Sequence, residues 1–128
     1  MKKFNVIGAG LAGTEAAWQI ANAGEKVTLF EQKPLKKSAA HRSDDFAELV
    51  CSNSLKAARL DSAAGLLKEE MARFGPLTVP VARNCAVAAG GALAVDRNVF
   101  SAAVTQKIRS HPNITVVSQE VTDIPLGE

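Results

Sequence analysis

Val6-Ile7-Gly8-Ala9-Gly10-Leu11-Ala12-Gly13 is the stretch on which the reading of this chain turns. Its three glycines fit G-x-G-x-x-G. A short apolar run over 4–7 precedes them and reads as a buried strand, and a helical pattern over 11–23 comes directly after. Gly8 lets the chain turn sharply out of the strand. Gly10 carries no side chain, so a pyrophosphate can approach its backbone, and Gly13 lets the helix pack closely on the sheet. The free N–H groups of the first helical turn then face the phosphates, backed by the positive end of the helix dipole.

The residues after the motif fit a βαβ unit that binds a dinucleotide. Ala16, Ala17, Ile20 and Ala21 give the helix a small-residue inner face, and Gly24 is placed to end it. A second strand over 26–30 ends at Glu31. An acid about twenty residues past the glycines suits a ribose diol, whose hydroxyl hydrogens it accepts. The alternative is a βαβ unit with a tight turn and no nucleotide.

The 128 residues amount to one domain, 1–128, large enough for a real core. No apolar run approaches a membrane span, and Met1-Lys2-Lys3 leaves no room for a signal peptide, so the expected setting is cytoplasmic, with no membrane partner. Cys51 and Cys85 are too few for a disulfide framework there, and no metal site is expected. A net charge of +2 does not by itself imply nucleic acid. The chain stops at Ile124-Pro125-Leu126-Gly127-Glu128 after a strand-like run, and a dinucleotide enzyme needs more sheet than this. The expectation is the N-terminal fragment of a longer protein.

Downstream of Glu31, a polar and basic loop runs over 32–45 and holds His41 and Arg42. It reads either as a solvated connector or as a loop that contacts phosphate or RNA backbone. Residues 46–50 suggest one or two helical turns. They deliver Cys51-Ser52-Asn53-Ser54-Leu55, a polar cluster of the kind found in ligand-facing turns. For Cys51 two readings stand, a small buried hydrophobe or a reactive thiol. A helix capped by Asp61 or Ser62 should run to about Phe74, with Leu66, Leu67, Met71 and Phe74 as its apolar stripe and the leucines and methionine in the core. Short strands are expected over 77–81, 83–88 and 92–95, with Gly90-Gly91 as a hairpin turn or as a place where backbone approaches a flat ring, and Cys85 as packing. Asp96 should cap a helix over 97–110 that buries Phe100, Val104 and Ile108 and ends at His111, a helix-end residue. A third parallel strand is expected over 114–117, followed by 121–124. The class is α/β: a parallel sheet with a small helical and antiparallel β insertion, about 32–96, between strands two and three.

Three blocks carry a resemblance: Phe46 to Leu55, Gly65 to Met71, and Gly90 to Arg97. Together with the glycine motif and His111-Pro112, they resemble the folate- and flavin-dependent tRNA uracil-5-methyltransferase family, TrmFO or Gid. The resemblance implies a glutathione-reductase-like Rossmann domain that binds FAD. It implies methylenetetrahydrofolate and NAD(P)H as co-substrates and 5-methyluridine in the T-loop of tRNA as product. Gly8, Ala9, Gly10, Leu11, Ala12 and Gly13 would hold the FAD pyrophosphate, Glu31 its adenosine ribose and Val121 its adenine. Cys51 would be the active-site cysteine. Family members commonly carry Met-Arg-Pro after the ribose-binding acid, where this chain has Gln32-Lys33-Pro34. Lysine supplies the charge there without the planar fork of arginine. Lys36, Lys37, Arg42, Lys56 and Arg59 are candidates for RNA contact. Two alternatives are an MnmG (GidA) type tRNA-modifying flavoprotein and a non-catalytic nucleotide-binding module.

Overall fold

A computed structural model of the chain describes residues 2–124; Met1 and 125–128 lie outside the described residues. β1 (Phe4–Ile7) runs through Gly8, at φ +92°, into α1 (Leu11–Asn22). Gly24 adopts φ +89° just past the helix and turns the chain into β2 (Val27–Glu31). The inner face of α1 is Thr14, Ala17 and Ala21; Ala16, expected there, is exposed instead.

Between β2 and the last parallel strand come β3 (Ser54–Ala57), α2 (Ala63–Ala72), α3 (Thr78–Asn84), β4 (Ala86–Val87) and β5 (Ala92–Val95). β5 pairs antiparallel with β3 on one side and β4 on the other. The chain then enters α4 (Arg97–Ser110), capped by the Asp96 carboxylate, which accepts the Asn98 and Val99 N–H groups at 3.1 Å each. Phe100, Val104 and Ile108 lie fully buried on one face of α4. β6 (Ile114–Ser118) closes a parallel sheet of order β1-β2-β6, with Val6 opposite Leu29 and Leu29 opposite Val116. The expected class therefore holds: an α/β Rossmann-type unit with a small antiparallel sheet inserted in sequence.

Four local expectations fail for physical reasons. Residues 78–84 form a helix where strands were expected over 77–81 and 83–88; only Ala86–Val87 pairs as strand. The cause is tertiary. Glu15 on α1 accepts the Leu77 N–H at 3.0 Å, the Thr78 N–H at 2.9 Å and the Thr78 hydroxyl at 2.8 Å, matching the donors of the first turn. Pro80 sits in that turn, where its missing N–H costs nothing.

Residues 46–50 are not helical. Ala47 takes φ +51°, and its N–H donates to Ala9 O at 2.8 Å. The Phe46 N–H donates to Thr105 Oγ1 at 2.7 Å, so this segment is pinned across α4 and the glycine turn. α2 forms as expected, with Ser62 accepting the Gly65 N–H, but its large apolar residues face outward. Leu67 is 56% exposed and Phe74 76%. α2 seats itself through Gly65, where a β-carbon would lie 1.9 Å from Arg59 O. Finally, 121–124 has no regular structure.

Candidate functional site

The parallel strands β1 and β2 end side by side, and their C-terminal ends open onto a cleft of about 320 Å³. Such strand ends are where open α/β sheets place ligands. Gly8, Ala9, Gly10, Glu31 and Val121 all line it, so five of the expected cofactor residues come together in one place. Val121 reaches the cleft because the Gln119 N–H donates to Glu31 O at 2.9 Å, which ties the segment after β6 to the end of β2.

The glycines do what their spacing predicts. A β-carbon on Gly10 would meet nothing within 4 Å, so open space lies beside its backbone. A β-carbon on Gly13 would lie 1.7 Å from Gly8 O. Gly13 is thus a packing residue and not a lining one. No side chain caps α1, and its first acceptor bond is Thr14 N–H to Gly10 O at 3.0 Å. Leu11, Ala12 and Gly13 contribute amide N–H groups with no acceptor among the described residues. The side chains of Leu11 and Ala12 are exposed.

Glu31 is only 7% exposed, yet fully provided for. Its Oε2 accepts the Ala9 N–H at 2.7 Å and its Oε1 the Lys33 N–H at 2.9 Å. A carboxylate has about four acceptor directions, so capacity for two hydroxyls is left.

Four residues of 32–48 also line the cleft: Gln32, Lys33, His41 and Glu48. Lys33 is 5% exposed. Its ammonium donates to Asp45 O and stands 3.6 Å from Glu48 Oε2. The Lys33 charge is therefore held inside the loop. Glu48 Oε1 accepts the Arg42 and Ser43 N–H groups at 2.9 and 3.1 Å. Burial pushes the Glu48 carboxyl up, but these N–H groups and the positive charge of Lys33 and His41 outweigh it and hold the group below its ordinary value. The sequence marks Lys33 only as a charge placed after Glu31, and does not single out Glu48, whose one signal is a lone acid inside the apolar run 46–50.

Cys51 does not line this cleft; it is exposed, one residue beyond Val50. Leu49 and Val50 line an adjoining cavity of about 490 Å³ with Arg42 and Arg97, and Glu48 borders both spaces. Asn53 is locked to β5, donating from Nδ2 to Val95 O at 3.2 Å and accepting the Val95 N–H at 2.9 Å. The polar block is thus split between an exposed start and a strand. Cys85 is buried, as expected; burial and then the Asp96 charge push its thiol up.

Three of the basic residues considered for RNA are paired: Lys36 with Glu120 and Lys37 with Asp44, each at 2.6 Å, and Arg59 with Asp61. Among the described residues, Arg42 and Lys56 make no ion pair. No helix is long and apolar enough to cross a membrane, and no cluster of three potential metal ligands occurs among the described residues.

The chain is 58% identical over 126 residues to methylenetetrahydrofolate--tRNA-(uracil-5-)-methyltransferase TrmFO of Enterococcus faecalis, a match covering 98% of this chain and 29% of that protein. It is 59% identical over 125 residues to TrmFO of Anoxybacillus flavithermus, with the same coverage, and 56% identical over 123 residues to TrmFO of Bacillus subtilis, covering 96% of this chain and 28% of that one. The chain thus spans less than a third of the length of these curated relatives. The family model described as glucose inhibited division protein A matches residues 3–128. By that match over nearly its whole length, the chain belongs to the glucose inhibited division protein A family.

Proposed function

We propose that this chain is the FAD-holding part of a methylenetetrahydrofolate-dependent tRNA uracil-5-methyltransferase. The observation that carries the reading is the cleft: bare main chain at Gly8 to Gly10, unmatched amides at the start of α1, and Glu31 with spare acceptor capacity. The donor set fits the adenosine diphosphate half of FAD. A β-carbon at Gly10 would fill the space a diphosphate needs. A cleft of about 320 Å³ is at the small end of ligand sites, suited to a nucleotide and not to a whole dinucleotide.

In this reading Gly8 to Gly13 hold the diphosphate, Glu31 accepts from the ribose hydroxyls, and the Val121 backbone meets the adenine. FAD, once bound, supplies the redox chemistry by which electrons from NAD(P)H reach a folate-derived one-carbon unit. The protein's share is orientation and charge placement. Cys51, exposed beside the Arg42 and Arg97 cavity, is the thiol available to act on uracil in the T-loop. Full activity belongs to a protein of the relatives' length, working in the cytoplasm where tRNA is modified.

Two measurements test this. Titration of the purified chain with FAD, followed by flavin fluorescence, should show saturable binding; no binding would leave an empty βαβ scaffold. In the full-length protein, methylation of T-loop uridine should require methylenetetrahydrofolate and be lost in Cys51→Ala. Modification that proceeds without that folate, or a fully active Cys51→Ala variant, would move the assignment to another tRNA-modifying flavoprotein.

A further inference from the structure

The charges lining the cleft are almost all matched within the chain. Glu31, at the end of β2, accepts two backbone N–H groups. In the loop, Lys33 is held by Asp45 O and Glu48, and Glu48 also accepts the Arg42 and Ser43 N–H groups. After β6, Glu120 is paired with Lys36 at 2.6 Å. α1 brings no charge in its first turn. One titratable side chain on the wall is different. His41, partly buried, has Nδ1 2.6 Å from Ser38 Oγ, while Nε2 has no partner among the described residues.

The Ser38 Oγ accepts the Ala40 N–H at 3.3 Å and can give its own hydroxyl hydrogen to Nδ1. With Nδ1 accepting, the ring carries its hydrogen on Nε2 and offers a donor there. The turn is steady, since the His41 N–H donates to Ser38 O at 3.1 Å and the loop is pinned to the glycine turn by Ala47 N–H to Ala9 O at 2.8 Å.

We propose that His41 is a phosphate-binding side chain of this cleft, its Nε2–H donating to the diphosphate of a bound nucleotide together with the bare amides of α1. The proposal rests on the FAD reading above and adds a side-chain donor to it. The other charged side chains on the wall are held by partners within the chain, so the His41 Nε2 is the side-chain nitrogen left to meet a ligand there.

The test uses the 128-residue chain with FAD, ADP and adenosine. Each is titrated at one pH near neutrality. His41→Phe should weaken ADP and FAD about tenfold and leave adenosine unchanged, the loss of one hydrogen bond to a charged phosphate. His41→Gln keeps a donor without a charge. It should bind FAD and ADP close to wild type, which separates lost contact from a misfolded loop. A wild-type chain that binds ADP or FAD while His41→Phe binds them equally well overturns the proposal and leaves the FAD reading standing. Equal weakening of ADP and adenosine also overturns it, because the ring would then be meeting the base. A wild-type chain that binds neither nucleotide overturns both.

Discussion

The Ala9 N–H donates to Glu31 Oε2 at 2.7 Å across 22 positions of sequence, so the glycine turn and the acid that ends β2 form one hydrogen-bonded unit. The same carboxylate takes the Lys33 N–H on its other oxygen. Glu31→Ala strands two buried donors, each costing about 1–3 kcal/mol. The expected result is a clear fall in the urea midpoint together with loss of FAD binding. Glu31→Gln, which keeps one acceptor oxygen, should fall less. A Glu31→Ala chain with wild-type stability would contradict the structural role given to this acid.

Gly13→Ala is predicted to be among the most damaging single-methyl additions. Its β-carbon would have to share space with the Gly8 carbonyl, and that neighbour is backbone that cannot swing aside. Overpacking of this kind costs about 2 kcal/mol or more. Gly10→Ala, with open space around it, should leave the urea midpoint nearly unchanged and weaken FAD binding. Opposite rankings for the two variants would refute the division of labour between them.

Glu15 links α1 to the start of α3. Burial pushes its carboxyl up, but hydrogen bonds from the Gln19 amide, the Thr78 and Leu77 N–H groups and the Thr78 hydroxyl outweigh it, so the group sits below its ordinary value. A carboxyl lowered on folding contributes stability that is complete above the unfolded value, about 4.3, and is lost as pH falls through the folded one. Glu48 adds in the same direction. Urea midpoints measured from neutral pH down to about pH 3 should therefore decline, and Glu15→Gln should be weaker at neutral pH with a shallower decline.

The two thiols should separate cleanly in labelling. Cys51 is exposed, whereas Cys85 is buried with its thiol pushed up. Brief iodoacetamide treatment of the folded chain near neutral pH, read by peptide mass spectrometry, should modify Cys51 and spare Cys85. Equal labelling would mean that the turn after α3 opens readily.

Replacing Phe74 or Leu67 by serine should change the unfolding free energy by no more than about 0.5 kcal/mol, because both side chains already face water. The same changes should reduce binding of a hydrophobic dye, since they remove part of an exposed apolar stripe.

What could be read from the residues alone was whatever local chemistry decides. The G-x-G-x-x-G turn, the α4 cap at Asp96 with Phe100, Val104 and Ile108 behind it, and the strand ending at Glu31 all come from short-range pattern. The misread segments are those set by distant partners. Thr78, Val79 and Val81 favour strand by propensity, but Glu15, more than sixty positions away, matches a helix start there. Residues 46–47 are shaped by Ala9 and Thr105. The stripe Leu66, Leu67, Met71 and Phe74 has helical period but points outward, because period does not say which side of a helix meets the core. Gly8, Gly10 and Glu31, singled out from the sequence, lie together along the cleft. The pairing of Lys33 with Glu48 was not legible, because it depends on a loop that folds back on itself.

The seat of Gly13 on the Gly8 carbonyl has a thermodynamic corollary. Helix and strand meet there without slack, so the donor array at the mouth of α1 is fixed in place ahead of any guest. Little ordering entropy is left to lose on association, and most of the electrostatic attraction can therefore appear directly as affinity.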